Sequence, residues 1–122
     1  MTKLLCVLLC AAMACLAAGP DVTGKWSGTF TPDSGDQGTA YLVLKQSGMT
    51  VTGTAGPDVG NQWVIETGKI AGNKLTFQVT DPGDKTVYKC TLTMDAHHMT
   101  GEVEVNNQGQ TMKGKLDITK AD

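Results

Sequence analysis

Apolar and polar residues alternate with a period of two from Gly24 almost to the end of the chain. Successive side chains of a strand point to opposite faces, whereas a helix repeats its apolar positions every three to four residues. No stretch of ten or more residues carries a helical stripe, and glycine, proline and asparagine separate the alternating segments. The pattern predicts an all-β fold of about eight strands. The expected strands are residues 25–31, 39–46, 49–55, 62–70, 74–80, 85–95, 98–106 and 111–119.

Short turns between these segments predict an antiparallel up-and-down meander. The turn sets which residues face each other, and a shift of one residue would move a strand's apolar side chains into water. Two-residue turns are expected at residues 47–48, 82–83, 96–97 and 108–109. They would pair Leu44 with Val51, Phe77 with Tyr88, Met94 with Met99 and Val105 with Met112. The last hairpin would also face Glu102 with Lys115 and Glu104 with Lys113.

The segment 62–70 conflicts in register with the strand that follows it. In a regular strand Glu66 would face the core while Trp63 would face solvent, and a buried carboxylate needs a partner or a raised pKa. A β-bulge at Gly68 would reverse both orientations, and glycine is common at bulges. We therefore expect a bulge there.

A meander of about eight strands leaves two exposed edges unless it closes on itself. We therefore expect residues 24–122 to form a small closed barrel. At this strand number the interior is either filled by side chains or able to hold one small ligand. Four glycines on the expected inward face could leave a cavity or could act as kinks that let the sheet curve, and we favour kinks. These glycines are Gly28, Gly53, Gly101 and Gly114.

Residues 1–19 differ in composition from the rest of the chain. Lys3 precedes an apolar run over residues 4–16, and small residues follow at 17–19. This is the layout of a secretory signal peptide, with a buried N-terminal helix as the alternative. We expect residues 1–18 to be a cleaved leader, residues 19–23 a flexible mature N-terminus, and the protein to be periplasmic or extracellular. A lipoprotein-type signal acylated at Cys15 is the alternative processing, and only this would anchor the protein to a membrane.

The cysteine and charge content bear on disulfide formation and on nucleic-acid binding. Three of the four cysteines lie in the leader, so the mature chain keeps Cys90 alone and forms no internal disulfide. The ten basic residues are all lysines, and the formal net charge is -2. Proteins that bind nucleic acid usually present a basic face, often with arginine. We therefore expect no nucleic-acid partner, and no residue pattern indicates a cofactor.

Thr23-Gly24-Lys25-Trp26 at the start of the first strand resembles the Gly-x-Trp signature of the calycin group, which includes lipocalins, fatty-acid-binding proteins and avidin-like proteins. Segments 51–55 and 99–103 are also similar to avidin-type strands. The resemblance implies a β-barrel in which Trp26 plugs one end. Gly28 stands where avidin-like proteins carry an asparagine, so biotin binding is not expected. The sequence also resembles small exported bacterial proteins of no assigned activity.

Candidate catalytic residues are few. Nucleophilic catalysis needs a serine or cysteine beside a base and an orienting group. Two of the three serines of the mature chain, Ser34 and Ser47, lie in turn-like segments, and its only histidines are the adjacent His97 and His98. We therefore expect the protein not to be an enzyme.

One hairpin combines thioether and imidazole groups, which suit copper in an exported protein. Methionine is also a common core residue, and adjacent histidines in a strand point to opposite faces, so this metal site is the weaker hypothesis. The candidate ligands are Met94, His97, His98 and Met99.

The leading functional hypothesis is a non-enzymatic module that binds a small apolar ligand at the barrel mouth, with loops 31–38 and 56–61 contributing. The alternatives are a structural or protein-interaction barrel with a filled core and, less favoured, a metal-handling protein. The candidate ligand-binding residues are Trp26, Leu42, Trp63, Phe77 and Tyr88.

Overall fold

The computed structural model describes residues 21–121. The expected signal peptide of residues 1–18, with Cys15 in it, lies outside the described residues. Residues 21–121 form nine strands and contain no helix, so this part of the chain holds no helical segment able to cross a bilayer. The strands are β1 Gly24–Pro32, β2 Gly38–Ser47, β3 Thr50–Asp58, β4 Asn61–Val64, β5 Glu66–Ala71, β6 Lys74–Thr80, β7 Val87–Asp95, β8 His98–Asn107 and β9 Gln110–Lys120.

The sheet closes on itself, as expected for a meander of about eight strands that would otherwise leave two exposed edges. β1 pairs in antiparallel fashion with both β2 and β9, and β2 also pairs with β3, so no gap is left between the first and last strands. β4 and β5 are interrupted only at Ile65, and both pair with β3. They therefore share one strand position, and the fold is an eight-position antiparallel meander barrel.

Two hairpins have the predicted register. Met94 faces Met99 between β7 and β8, and Val105 faces Met112 between β8 and β9. Opposite charges in facing positions stabilise such a pairing by ~0.2–1 kcal/mol per pair. The predicted facing positions are present: Glu102 faces Lys115 and Glu104 faces Lys113, while among the described residues neither pair lies within salt-bridge distance.

The other two predicted registers are wrong by two residues. Leu44 faces Gly53 rather than Val51 because the turn lies at residues 48–49, where Gly48 has a φ of 65°. Two-residue hairpin turns of the II′ type place a glycine with positive φ at their first central position. Phe77 faces Cys90 rather than Tyr88 because a longer loop, residues 81–86, joins β6 to β7. A shift of two residues leaves each side chain on its predicted face.

The predicted bulge is confirmed. The register of β5 against β6 shifts between Glu66 and Lys69. Ile65 is buried, while Glu66 is exposed and its Oε1 accepts hydrogen bonds from Gln78 and Thr80. The left-handed backbone conformation belongs to Thr67, with a φ of 49°, and not to the glycine that follows it.

Side chains fill the end of the barrel at which β1 begins, which we call the closed end. The Trp26 indole is fully buried there, and its Nε1 donates a hydrogen bond of 2.9 Å to the Val22 carbonyl. The backbone N–H of Val22 in turn donates to Oε1 of Gln46. Of the segment expected to be flexible, residues 19–23, the structure describes 21–23, and Val22 among them is fully buried. The other completely buried side chains of this end are Leu75, Leu92, Met99 and Ile118.

Candidate functional site

The opposite end of the barrel, which we call the open end, contains a cavity of about 160 Å³. Loops 33–37, 59–60, 81–86 and 108–109 surround this end. Inward side chains from every strand except β5 line the cavity, because each strand contributes its alternate residues. Its mouth is formed by Thr39, Gly56 and Pro57, and the deeper wall by Ala40, Leu42, Ala55, Phe77, Val79, Cys90, Val103 and Leu116.

Three half-buried aromatic residues complete the wall near the mouth: Phe30, Trp63 and Tyr88. Trp63 faces Ala55 across β3 and β4, and the small alanine leaves room for the indole. The Trp63 and Tyr88 rings are nearly parallel, with an interplanar angle of 8° and ring centroids 6.1 Å apart. The stacked pair therefore forms one aromatic surface beside the cavity, of a kind that attracts both apolar groups and cations.

The Phe30 ring is held against the backbone of β9. A Cβ atom added at Gly114 would lie 2.6 Å from a carbon of that ring. Glycine at position 114 therefore lets Phe30 lie flat against the neighbouring strand while it still lines the cavity.

The other three inward glycines support the kink interpretation. A Cβ atom at Gly28, Gly53 or Gly101 would lie 1.9 Å from a carbonyl oxygen of the adjacent strand, which is too close for any side chain. In the described part of the chain, none of these three glycines lines the cavity. They permit close strand approach and curvature and do not create the cavity.

Cys90 supplies a neutral thiol to the deep wall. Burial raises the pKa of this thiol to about 12, because the surrounding apolar side chains cannot solvate a thiolate. At neutral pH the group is therefore protonated and behaves as a small apolar surface.

Tyr88 places a phenol beside the mouth. Burial raises the pKa of this phenol, and the negative charges of Asp81 and Asp84 raise it further. The hydroxyl is therefore neutral at physiological pH and can donate or accept a hydrogen bond.

The loop of residues 81–86 is held in place by its own hydrogen bonds. The Asp81 N–H donates to the Thr86 carbonyl, and the Lys85 N–H donates to the Asp81 carbonyl, each at 2.8 Å. Thr86 is buried, and its Oγ1 accepts a bond of 2.6 Å from Asn107 at the end of β8. These bonds hold the backbone of the loop that carries Asp81 and Asp84 and leads into Tyr88.

Four of the five residues predicted to bind a ligand lie around one cavity: Leu42, Trp63, Phe77 and Tyr88. Trp26 does not line it, because it is packed at the closed end. Phe30 and Ala55 were missed, although Phe30 lies on the same face of β1 as Trp26. Continuing the alternation to the end of that strand would have identified it.

The candidate metal ligands lie on two faces of the sheet. Met99 is fully buried, whereas His98 is exposed and its Nε2 lies 2.5 Å from Oδ1 of Asp117. Met94 packs against the core, and His97 is exposed in the turn. Within residues 21–121, no three His, Cys, Asp or Glu side chains are grouped as metal ligands. The four predicted side chains are therefore not brought together.

Comparisons with known proteins identify the fold alone. No family model matches the chain, and no curated protein matches it. Among solved structures, a redesigned β-barrel is similar, with a TM-score of 0.60, 13% sequence identity, and coverage of 83% of this chain and 92% of that chain. At this identity the similarity shows a small β-barrel and carries no information about a ligand.

Proposed function

We propose that this protein is an exported, non-enzymatic binding module that holds a small apolar ligand in the open end of its barrel. The observation that carries the proposal is the cavity of about 160 Å³, whose wall is mostly apolar. Ligand sites are typically concave and apolar, with few polar groups that set orientation. The Tyr88 hydroxyl is such a group here.

The size of the cavity limits the ligand. An engineered cavity of about 150 Å³ with an aliphatic and aromatic lining stays dry and binds benzene. The cavity described here is of that order, so it takes one ring or a short branched chain. A longer ligand extends past Thr39 and Pro57 into solvent, since both residues are exposed.

The chemistry of the cavity wall favours binding over catalysis. The Cys90 thiol is the strongest nucleophile on the wall, and its pKa of about 12 keeps it protonated. Both histidines lie at the closed end, where β7 turns into β8. Neither histidine of the described residues is therefore near the thiol.

The resemblance of residues 23–26 to the calycin signature agrees with this proposal, because proteins of that group commonly carry ligands inside a barrel. The signal-like leader agrees with a protein that acts outside the cytoplasm. The calycin-like ligand carriage and the export of the protein are thus both parts of the proposal.

A thermal-shift panel tests the proposal. Single-ring aromatic compounds, cyclohexanol and short branched alcohols are added to the protein, and the midpoint of unfolding is measured. A compound at ten times its Kd should stabilise the fold by about 1.4 kcal/mol, which raises the Tm of a domain of this size by roughly 5–10 °C. No shift with any compound would contradict the proposal and favour the protein-interaction alternative.

A cavity-filling variant locates the site. Ala55→Leu places a larger side chain in the cavity and should abolish the ligand-induced shift. Ala71→Leu adds the same side chain at an exposed position of β5 and should respond like the unaltered protein. An equal response of both variants would show that the compounds bind elsewhere.

Tryptophan quenching gives a second readout on the unaltered chain. Trp63 is half-buried at the cavity whereas Trp26 is fully buried, so acrylamide should quench mainly Trp63. Ligand should reduce this quenching, and the effect should be lost in Trp63→Phe.

A further inference from the structure

The loops of the open end carry an excess of negative charge next to the apolar cavity. Loops 33–37 and 81–86, together with the last residue of β3, contain five aspartates and one lysine. The aspartates are Asp33, Asp36, Asp58, Asp81 and Asp84, and the lysine is Lys85.

Two of these aspartates, Asp81 and Asp84, lie in the loop that leads directly into β7 and its wall residue Tyr88. The charges of Asp81 and Asp84 reach the Tyr88 phenol, where they disfavour a second negative charge. One oxygen of each carboxylate is fixed by the backbone of its own loop: Asp81 Oδ1 accepts from the Gly83 N–H at 2.8 Å and Asp84 Oδ1 from the Thr86 N–H at 3.1 Å. Among the described residues, neither carboxylate forms an ion pair. Both are therefore ordered negative charges that, in the described part of the chain, have no ion-pair partner.

The aromatic residues at the mouth add to this preference. The stacked rings of Trp63 and Tyr88 lie in the same region, and aromatic rings attract amine and quaternary ammonium groups. Carboxylates and aromatic rings thus select the same ligand charge, while the deep wall selects an apolar group.

We propose that the cavity takes an amphiphilic cation, in which a ring-sized apolar group enters the barrel and an amine or quaternary ammonium group lies at the mouth beside Trp63, Tyr88 and loop 81–86. This inference rests on the proposed function and adds the chemical class of its ligand. An anionic ligand of the same size is disfavoured by the same carboxylates.

Three single-ring probes of similar size separate the two proposals: benzyltrimethylammonium, benzyl alcohol and phenylacetate. Affinities are measured by Trp63 quenching and by isothermal titration at low ionic strength. We expect the cation to bind about fivefold more tightly than the alcohol, the order of one exposed ion pair or cation–π contact, and the anion more weakly than both. The preference for the cation should shrink at 0.5 M salt, because exposed charges are then screened over about 4 Å.

Asparagine variants test the role of the loop. The double variant Asp81→Asn, Asp84→Asn keeps an acceptor oxygen for each turn bond and removes both charges. It should lose most of the preference for the cation and leave the affinity for benzyl alcohol unchanged. Asp95→Asn, at the closed end, is the control and should behave like the unaltered protein. A cooperative thermal transition shows that each variant is folded.

The outcomes distinguish the two proposals. Equal affinity for the cation and the alcohol would overturn the inference about charge while supporting a binding cavity. Preference for the cation that persists in the double variant would overturn the role of loop 81–86. Absence of binding by all three probes would overturn the inference together with the proposed function.

Discussion

Cys90 illustrates how the position of a residue in the fold sets its chemistry. A lone thiol in an exported protein is a candidate for reaction or pairing, and its alternating strand predicted a buried, inert group instead. The structure agrees, since Cys90 is buried between Phe77 and Val103 on neighbouring strands. Burial raises its pKa to about 12 from an ordinary value of 9.0.

This shift predicts a loss of stability at high pH that depends on the thiol. The folded-state pKa of the thiol lies above that of the unfolded chain. Its contribution to the free energy of unfolding is therefore complete below about pH 9 and is lost as the pH rises toward 12. The free energy of unfolding is measured for the unaltered protein and for Cys90→Ala between pH 8 and 11. The difference in the free energy of unfolding between the unaltered protein and Cys90→Ala should shrink over this range. Tyrosine and lysine titrate in both proteins, so parallel pH profiles would contradict the prediction.

At the scale of single elements, the sequence predicted strands better than it predicted turns. Odd–even alternation along each strand, which we call parity, placed Leu44, Val51 and Phe77 on the inner face. A strand has only two faces, and apolar residues occupy one of them. The pairing partners of Leu44 and Phe77 were wrong because turn length is set by local backbone preferences that alternation does not report. Both errors were of two residues, which parity cannot detect.

The bulge in β5 was predicted from a conflict between parity and charge, and the structure adds its geometry. A Cβ atom at Gly68 would lie 2.1 Å from the Val51 carbonyl oxygen and 3.2 Å from a methyl group of Ile65. Glycine is thus needed for close approach to β3, while Thr67 adopts the left-handed conformation. Parity could reveal the need for an irregularity but not which residue would take the positive φ.

Gly68→Ala should therefore destabilise the barrel by about 1–3 kcal/mol, the usual cost of overpacking a core. Gly38→Ala is the matched control, because a Cβ atom there meets nothing within 4 Å and should change the free energy of unfolding very little. Urea unfolding of both variants measures the difference. Similar stabilities would show that β3 and β5 can move apart at no cost.

The molecule as a whole divides into a closed end that is packed and an open end that is not. The sequence predicted the barrel but left a filled or hollow interior undecided, because both use the same alternation. The difference depends on which neighbours small wall residues such as Ala40 and Ala55 face across the strands, and that requires the register. Trp26 was assigned to the ligand site because the alternation places it inside the barrel, although the calycin resemblance implied that it plugs one end. The structure packs it at the closed end, away from the cavity.

This division predicts different costs for the same substitution at the two ends. Val51 and Val103 are almost equally buried, with 1% and 3% of their surface exposed, but only Val103 lines the cavity. A side chain beside a void has fewer atoms in contact with it, so its truncation removes less packing energy. Val51→Ala should therefore cost about 1 kcal/mol more than Val103→Ala in urea unfolding. Equal costs would indicate that the open end is as tightly packed as the closed end, which would contradict the cavity on which the proposed function rests.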